Sequence, residues 1–278
     1  MSPGAGADTA DAAGAITVVK IGGSTLGAED TTLDDVVALQ QAGERPIVVH
    51  GGGAMISDWL DRLGIESRFV DGLRATNEQA LDVVLGVLRG VVNVRLVARI
   101  QALGGRAVGL CGVDGATIRA ERYDDRLGFV GRVTAVDASL LLQLTAGGMI
   151  PVIAPIGIES PAQPSAQPSA QPSAQPLNIN ADTVAGEVAR SVGAARLIFL
   201  TDVDGLMDGQ GTLLPSIDPA AAARLRAEGT LVGGMIPKIE ACFRASEAGV
   251  TSHISNGRLA GTVRRLAADE PLGTRIGG

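Results

Sequence analysis

Val18-Val19-Lys20-Ile21 is an apolar, β-branched run carrying a single lysine, and it stops at Gly22-Gly23-Ser24. Such a run reads as a buried strand. Glycines directly after it let the backbone turn sharply and come close to a ligand, because no Cβ intervenes. A phosphate fits a turn of this kind, with the backbone N–H groups of Gly22 and Gly23 and the three donors of Lys20 supplying charge and hydrogen bonds. An ordinary turn with an ordinary strand-end lysine is the alternative while this stretch stands alone. The plan repeats, however. Ile47-Val48-Val49-His50 runs into Gly51-Gly52-Gly53, after which Met55, Ile56, Trp59, Leu60 and Leu63 recur on a helical period as far as Gly64. Three glycines at a helix start offer free N–H groups and the positive end of the helix dipole to an anion.

Strands and helices alternate along the rest of the chain. Thr32 is placed to cap a helix carrying Leu33, Val36, Val37 and Leu39. Thr76 and Gln79 are spaced as a capping box for a long helical region that bends near Gly90 and ends at Gly104-Gly105. Short strands are predicted at 107–110, 117–118 and 129–133, a helix from Asp137 to Gly147-Gly148, and strands at 150–154 and 197–200. Asp218-Pro219 and Gly233-Gly234 open two further helices, and strand, helix and strand follow near 250–255, 259–267 and 274–276. This alternation predicts a mainly parallel sheet covered on both faces, in one large α/β domain or two lobes sharing a sheet. A hydrophobic content of 46% with only 2% aromatic residues means that aliphatic side chains fill its core.

Other classes are excluded by composition. A net charge of −7 argues against a general nucleic-acid binder. Cys111 and Cys242 have neither metal-ligand spacing nor the numbers for a disulfide framework, so a reducing compartment is expected. Met1 to Gly14 is small, acidic and Gly/Ala-rich, unlike a signal peptide, and no stretch reaches the roughly 20 apolar residues that span a bilayer. A cytoplasmic protein without membrane partners is the expectation. In Pro161 to Pro176 the unit Gln-Pro-Ser-Ala repeats in tandem, and proline every fourth residue blocks helix and ladder alike. This segment is read as a flexible loop inside the domain rather than as a boundary.

Four further stretches carry chemistry. Arg74 precedes a helix start, where its fork could take a substrate carboxylate or simply face solvent. In Asn178-Ile179-Asn180-Ala181-Asp182, alternate polar residues would point one way in extended chain, unless Asn180 caps the helix and Asp182 complements its dipole. Thr201-Asp202-Val203-Asp204-Gly205-Leu206 is a strand-end turn of the sort where α/β sheets place nucleotides. Lys238 lies about one turn beyond Gly233-Gly234. Anion-ready turns, two distant lysines and a carboxylate to hold them suggest phosphoryl transfer without a general base. The chain has no Gly-x4-Gly-Lys-Ser/Thr loop and no protein-kinase signatures. Ile56 occupies the place of the third glycine in a dinucleotide fingerprint.

From Ile16 to Ile276 the chain resembles the amino acid kinase family. The marks are Lys20-Ile21-Gly22-Gly23, His50-Gly51-Gly52-Gly53, Gly72-Leu73-Arg74, Asn178 to Asp182, Thr201-Asp202-Val203 and Gly233-Gly234-Met235-Ile236-Pro237-Lys238. The resemblance implies a three-layer αβα sandwich over 16–278, with an acyl amino acid bound by the N-terminal half and ATP by the C-terminal half. The implied reaction is phosphorylation of the side-chain carboxylate of N-acetyl-L-glutamate, a step of arginine biosynthesis. By the same resemblance Lys20 and Lys238 would stabilise the transition state and Asp182 would orient them. Gly52 and Gly53 would hold the acceptor, Gly22, Gly23 and Gly51 the phosphates, and Arg74 and Asn178 the substrate carboxylates. The nucleotide would lie against Thr201, Asp202, Val203, Asp204, Gly205, Leu206 and Met207 and against Thr230, Leu231 and Val232. Mg2+ would ride on the ATP phosphates, with no metal site on the protein. Ala75, Asn77, Asp204 and Asn256 depart from the family's usual residues. The tail lacks the amphipathic period of arginine-inhibited hexamers, so an arginine-insensitive homodimer is expected. The rival expectations are a kinase for a carrier-bound aminoadipate or glutamate and an inactive nucleotide-binding regulator.

Overall fold

The computed structural model describes residues 14–22, 31–159 and 174–277. Gly23, residues 1–13 of the N-terminal tail and residues 161–173 of the repeat lie outside the described residues. The first strand, β1 (Ile16–Ile21), is buried along its whole length. It is followed by α1 (Thr32–Gln41), β2 (Arg45–His50) and α2 (Gly53–Arg62), which form successive strand–helix units. A tight hairpin, β3 (Phe69–Val70) with β4 (Leu73–Arg74), turns at Asp71 and Gly72, both with positive φ. One helical rod then runs through α3 (Glu78–Leu85), a π-helical stretch (Gly86–Asn93) and α4 (Val94–Ala102). The strands β5 (Ala107–Cys111), β6 (Ile118–Arg122) and β7 (Val130–Val136) precede α5 (Ser139–Ala146). Next come β8 (Ile150–Ala154), β9 (Ile156–Glu159), β10 (Pro176–Ile179), α6 (Ala181–Ser191) and β11 (Arg196–Thr201). The chain closes with β12 (Ser216–Ile217), α7 (Pro219–Ala227), α8 (Met235–Ser246), β13 (Thr251–Asn256), α9 (Thr262–Ala267) and β14 (Thr274–Ile276).

Eight strands form the central sheet in the order β12-β14-β13-β11-β1-β2-β8-β5. Every pairing is parallel except that of β13 with β14. Successive side chains of a strand point to opposite faces, so the sheet feeds two cores. Val18, Val49 and Phe199 pack with Val184, Val188 and Ile239 on the face of α6 and α8. Val19, Val48 and Leu200 pack with Val36, Leu60, Leu88 and Val263 on the other. The three-layer architecture expected from alternation is present. The sequence did not suggest that β10, β7, β6 and β9 would pair in a closed ring of their own.

Three local expectations are corrected. Thr32 is the first residue of α1 and not its cap, because Thr31 occupies the cap position and its hydroxyl accepts instead from the Gly261 N–H at 3.0 Å. The Thr76–Gln79 capping box does not form. Thr76 is drawn into the preceding chain, its N–H on Leu127 O and its hydroxyl on Arg74 O, so Asn77 caps α3 by accepting from Ala80 N. The expected bend near Gly90 is a run of π-helix.

Helices α6 and α8 meet at Gly186, where a Cβ would stand 2.9 Å from both Cβ and O of Ala241. Helix propensity alone favours alanine over glycine by ~1 kcal/mol, whereas overpacking costs about 1–3 kcal/mol. Gly186→Ala should therefore lower the melting temperature, by about 2–4 °C per kcal/mol for a domain of this size class. Differential scanning calorimetry decides it, and a melting point at or above the parent's would mean that the two helices have slack.

Candidate active site

The centre of the site is one carboxylate between two ammonium groups. Lys20 is the fifth residue of β1, on the Val18 side of the sheet, and so faces α6 and α8. Asp182 stands in the first turn of α6, whose N-cap is Asn180; the Asn180 Oδ1 accepts from the N–H groups of Asp182 and Thr183 at 2.8 and 3.1 Å. The sequence left open whether Asn180 and Asp182 share one face of extended chain, and the structure decides for the cap. Only Asn178 of that set lies on a strand. Lys238, one turn into α8, places Nζ 3.0 Å from Asp182 Oδ2 and donates to Gly234 O at 3.1 Å. Lys20 Nζ lies 2.6 Å from Asp182 Oδ1, an ionic contact whose angles fall outside good hydrogen-bond geometry.

All three side chains are largely buried, with exposures of 8% for Lys20, 7% for Asp182 and 17% for Lys238. Burial opposes ionisation of Asp182, but the two ammonium groups outweigh it and hold the carboxyl below the ordinary range. Burial lowers the Lys20 ammonium, with Asp182 pulling it up and Lys238 pushing it further down. The cluster carries one positive charge in excess, an arrangement completed by an anion.

The glycine turns flank this cluster. Ile21 of β1 is in register with His50 of β2, and the Gly51 N–H bonds to Ile21 O at 3.0 Å. Gly22 and Gly51 thus leave the sheet side by side, and Gly52 becomes the N-cap of α2. Arg74 is buried beside this helix, with its Nη2 donating to Gly53 O at 3.1 Å and to Ser57 Oγ at 2.8 Å. Its Nη1 bonds to Ser67 Oγ, and the guanidinium lies 4.6 Å from the Phe69 ring centroid. These partners are neutral. Asn178 donates to Thr76 Oγ1 at 3.1 Å, and Thr76 in turn donates to the carbonyl of Arg74 at 2.9 Å, so Asn178 and Arg74 are joined through one threonine. Sequence reading missed Ser57 and gave Thr76 only a capping role, since their roles here depend on contacts across 17 and 102 residues.

Val203, Gly205, Leu206, Met207, Thr230, Leu231 and Val232 converge on one cavity of about 410 Å³ beside the start of α8. Thr201 and Asp204 serve the turn itself: the Thr201 hydroxyl closes on Val203 N and O, and Asp204 accepts from Asn256 at 2.8 Å. Asp202 is exposed at the same strand end.

The chain belongs to the amino acid kinase family, whose family model matches residues 15–256. It is 40% identical over 261 residues to an acetylglutamate kinase of Dehalococcoides mccartyi, with 94% of each chain covered. It is 43% identical to one of Acidiphilium cryptum, covering 89% of this chain and 84% of that one. Among solved structures, smu.665 of Streptococcus mutans superposes with a TM-score of 0.79 at 27% identity, covering 94% of this chain and 98% of that one. A Giardia carbamate kinase, at 15% identity and a TM-score of 0.65, shares the fold over 95% of this chain and 99% of that one.

A pH dependence follows from His50, which is fully buried beside the glycine turn. Burial pushes its imidazole from 6.5 down to about 4, against a smaller upward pull from the Gly51 carbonyl. The unfolded chain binds this proton at higher pH than the folded one. The ring's contribution to stability is therefore complete above about pH 6.5 and is lost, at ~1.4 kcal/mol per pH unit, as pH falls toward about 4. Urea unfolding at pH 7, 6 and 5 should show this loss, with a shallower slope in His50→Asn. Identical slopes in the two proteins would rule His50 out as its source.

Proposed function

We propose that this protein transfers the γ-phosphoryl group of ATP to the side-chain carboxylate of N-acetyl-L-glutamate, forming N-acetylglutamyl 5-phosphate in arginine biosynthesis. The observation that carries the reading is the buried Lys20–Asp182–Lys238 cluster with its uncompensated positive charge. The acceptor is already an anionic nucleophile, so no base is required. The barrier lies in bringing negatively charged groups together and in charge shifting among the oxygens of the moving phosphoryl group. Two cations held in place before the substrates arrive lower that barrier without reorganising during the step. Asp182 has a positioning task, holding both lysine side chains aimed at one point.

Gly52 and Gly53 hold the acceptor in this reading, and Gly22 and Gly23 the phosphates, with Arg74 and Asn178 on the carboxylates of acetylglutamate; Gly51, whose N–H is bonded to Ile21 O, has no donor left for a phosphate and shapes the turn. Arg74 fits because it brings a charged fork to the loop while its hydrogen-bond partners are neutral, Asp61 acting on it only through space. The N-terminal half thus takes the amino acid. The C-terminal half takes the nucleotide, in the apolar cavity beside α8 and the turn from Thr201 to Met207 with Asp202 and Asp204. Magnesium would be carried on the nucleotide phosphates. There it would neutralise part of their charge. No helix among the described residues is long and apolar enough to cross a membrane, and family resemblance supports a cytoplasmic homodimer.

Trapping the acyl phosphate as its hydroxamate tests the reaction. Lys20→Ala and Lys238→Ala should each lower kcat by ~10²-fold or more with far smaller changes in KM, the mark of an interaction made in the transition state. Near-normal turnover in either variant, with circular dichroism unchanged, removes that lysine from the mechanism.

Arg74→Lys supplies a separate check, because an ammonium cannot span Gly53 O, Ser57 and Ser67 and still face a carboxylate. The KM for acetylglutamate should rise on the order of tenfold while that for ATP stays nearly constant. An ATP defect in its place would move Arg74 out of the acceptor site.

A further inference from the structure

The side-chain amide of Asn93 has one orientation that satisfies its neighbours. Arg89 can only donate, and its Nη1 lies 3.2 Å from Asn93 Oδ1. The carbonyl of Val152 can only accept, and it lies 2.8 Å from Asn93 Nδ2. The remaining Nδ2 proton is aimed at His50 Nε2, 3.1 Å away, so that ring nitrogen must accept. Neutral His50 then carries its proton on Nδ1, which sits 2.9 Å from the carbonyl oxygen of Gly51 and donates to it. His50 and Asn93 are both fully buried, Asn93 at the end of the π-helical stretch. Gly109 makes room for the amide, since a Cβ there would overlap Asn93 Oδ1, and its carbonyl accepts from Arg89 Nη2 at 3.0 Å.

These bonds govern the peptide between Gly51 and Gly52. It is trans, so its N–H points opposite to its C=O. His50 follows Val48 by two residues, on the sheet face opposite to that of Lys20. With the Gly51 carbonyl drawn toward His50, the Gly52 N–H is turned away from that face, toward the side occupied by Lys20, Asp182 and Lys238. Among the described residues the Gly52 N–H makes no hydrogen bond. We propose that Asn93 and His50 are positioning residues: the Asn93 amide fixes the proton of His50 on Nδ1, and that proton holds the Gly51–Gly52 peptide so that the Gly52 N–H donates to the reacting anion. The inference rests on the phosphotransfer assigned to this site and adds to it two residues that touch neither substrate.

Two substitutions separate positioning from packing, because each removes the ring but they leave amides at different places. His50→Asn puts a donor near the Nδ1 position, where it can still meet the Gly51 carbonyl. His50→Gln reaches toward the Nε2 position and Asn93, leaving that carbonyl without its donor. The expected result is a kcat at least tenfold lower in His50→Gln than in His50→Asn, with KM for ATP and melting temperature similar in the two. Nitrogen-15 spectra of the wild-type protein without substrates should show His50 protonated on Nδ1 at neutral pH. Equal kcat in the two variants, or a ring protonated on Nε2, overturns the proposal. If the wild type phosphorylates no acetylglutamate, the kinase reading fails, and the ring nitrogen signals still decide whether the relay exists.

Discussion

Asp182 is the group on which the rest of the site depends. Its carboxylate holds Lys20 from β1 and Lys238 from α8, two cations that would repel each other in a buried space without it. Removing three charges from water costs several kcal/mol per ion before their attraction is counted, so such a cluster is a poor device for stability. It is a good device for catalysis, because the cations are already in place when an anion arrives. The fold supports the arrangement through close packing. α6 lies on β1 and meets α8 at Gly186 and Ala241, which fixes the distance across which the two lysines share one carboxylate.

The position of the cluster follows from sheet topology. β1 is central, with β2 on one side and β11 on the other, so the chain leaves it in both directions and a crevice opens beyond its carboxyl end. Gly22 after β1, the glycine turn after β2 and the acidic turn after β11 all leave the sheet at that end. A Cβ-free turn suits one side, where α2 begins and the Gly52 N–H makes no hydrogen bond among the described residues. The other side carries the apolar cavity beside α8.

Residues that depart from the family pattern have structural partners here. Asn256 donates to Asp204 across two parallel strand ends, where a second carboxylate would have faced the first. Asn77 caps α3, a task that an aspartate performs with the same geometry. The ring of β6, β7, β9 and β10 gives Asn178 its strand, and with it the contact to Thr76 that reaches Arg74.

The sequence by itself determined the layered architecture, because hydrophobic periodicity and glycine punctuation are local properties of the chain. β8 and β14 lie at 150–154 and 274–276, where the sequence placed them, and Asp218-Pro219 opens α7 as its cap chemistry requires. The sequence also determined which residue types stand at the strand ends, and resemblance singled out Lys20, Asp182 and Lys238 among them. Only the tertiary structure decided the rest. That the Thr31 hydroxyl turns away from the first turn of α1 depends on Gly261, which lies 230 residues away. Whether Asn180 serves a site or a helix end depended on which partner its side chain met first, and the two N–H groups of its own helix were nearest. The surroundings of Arg74 and the relay from Arg89 through Asn93 and His50 to Gly51 are formed by residues far apart in the chain. Their donors and acceptors become mutually committed only when packing removes water as the competing partner.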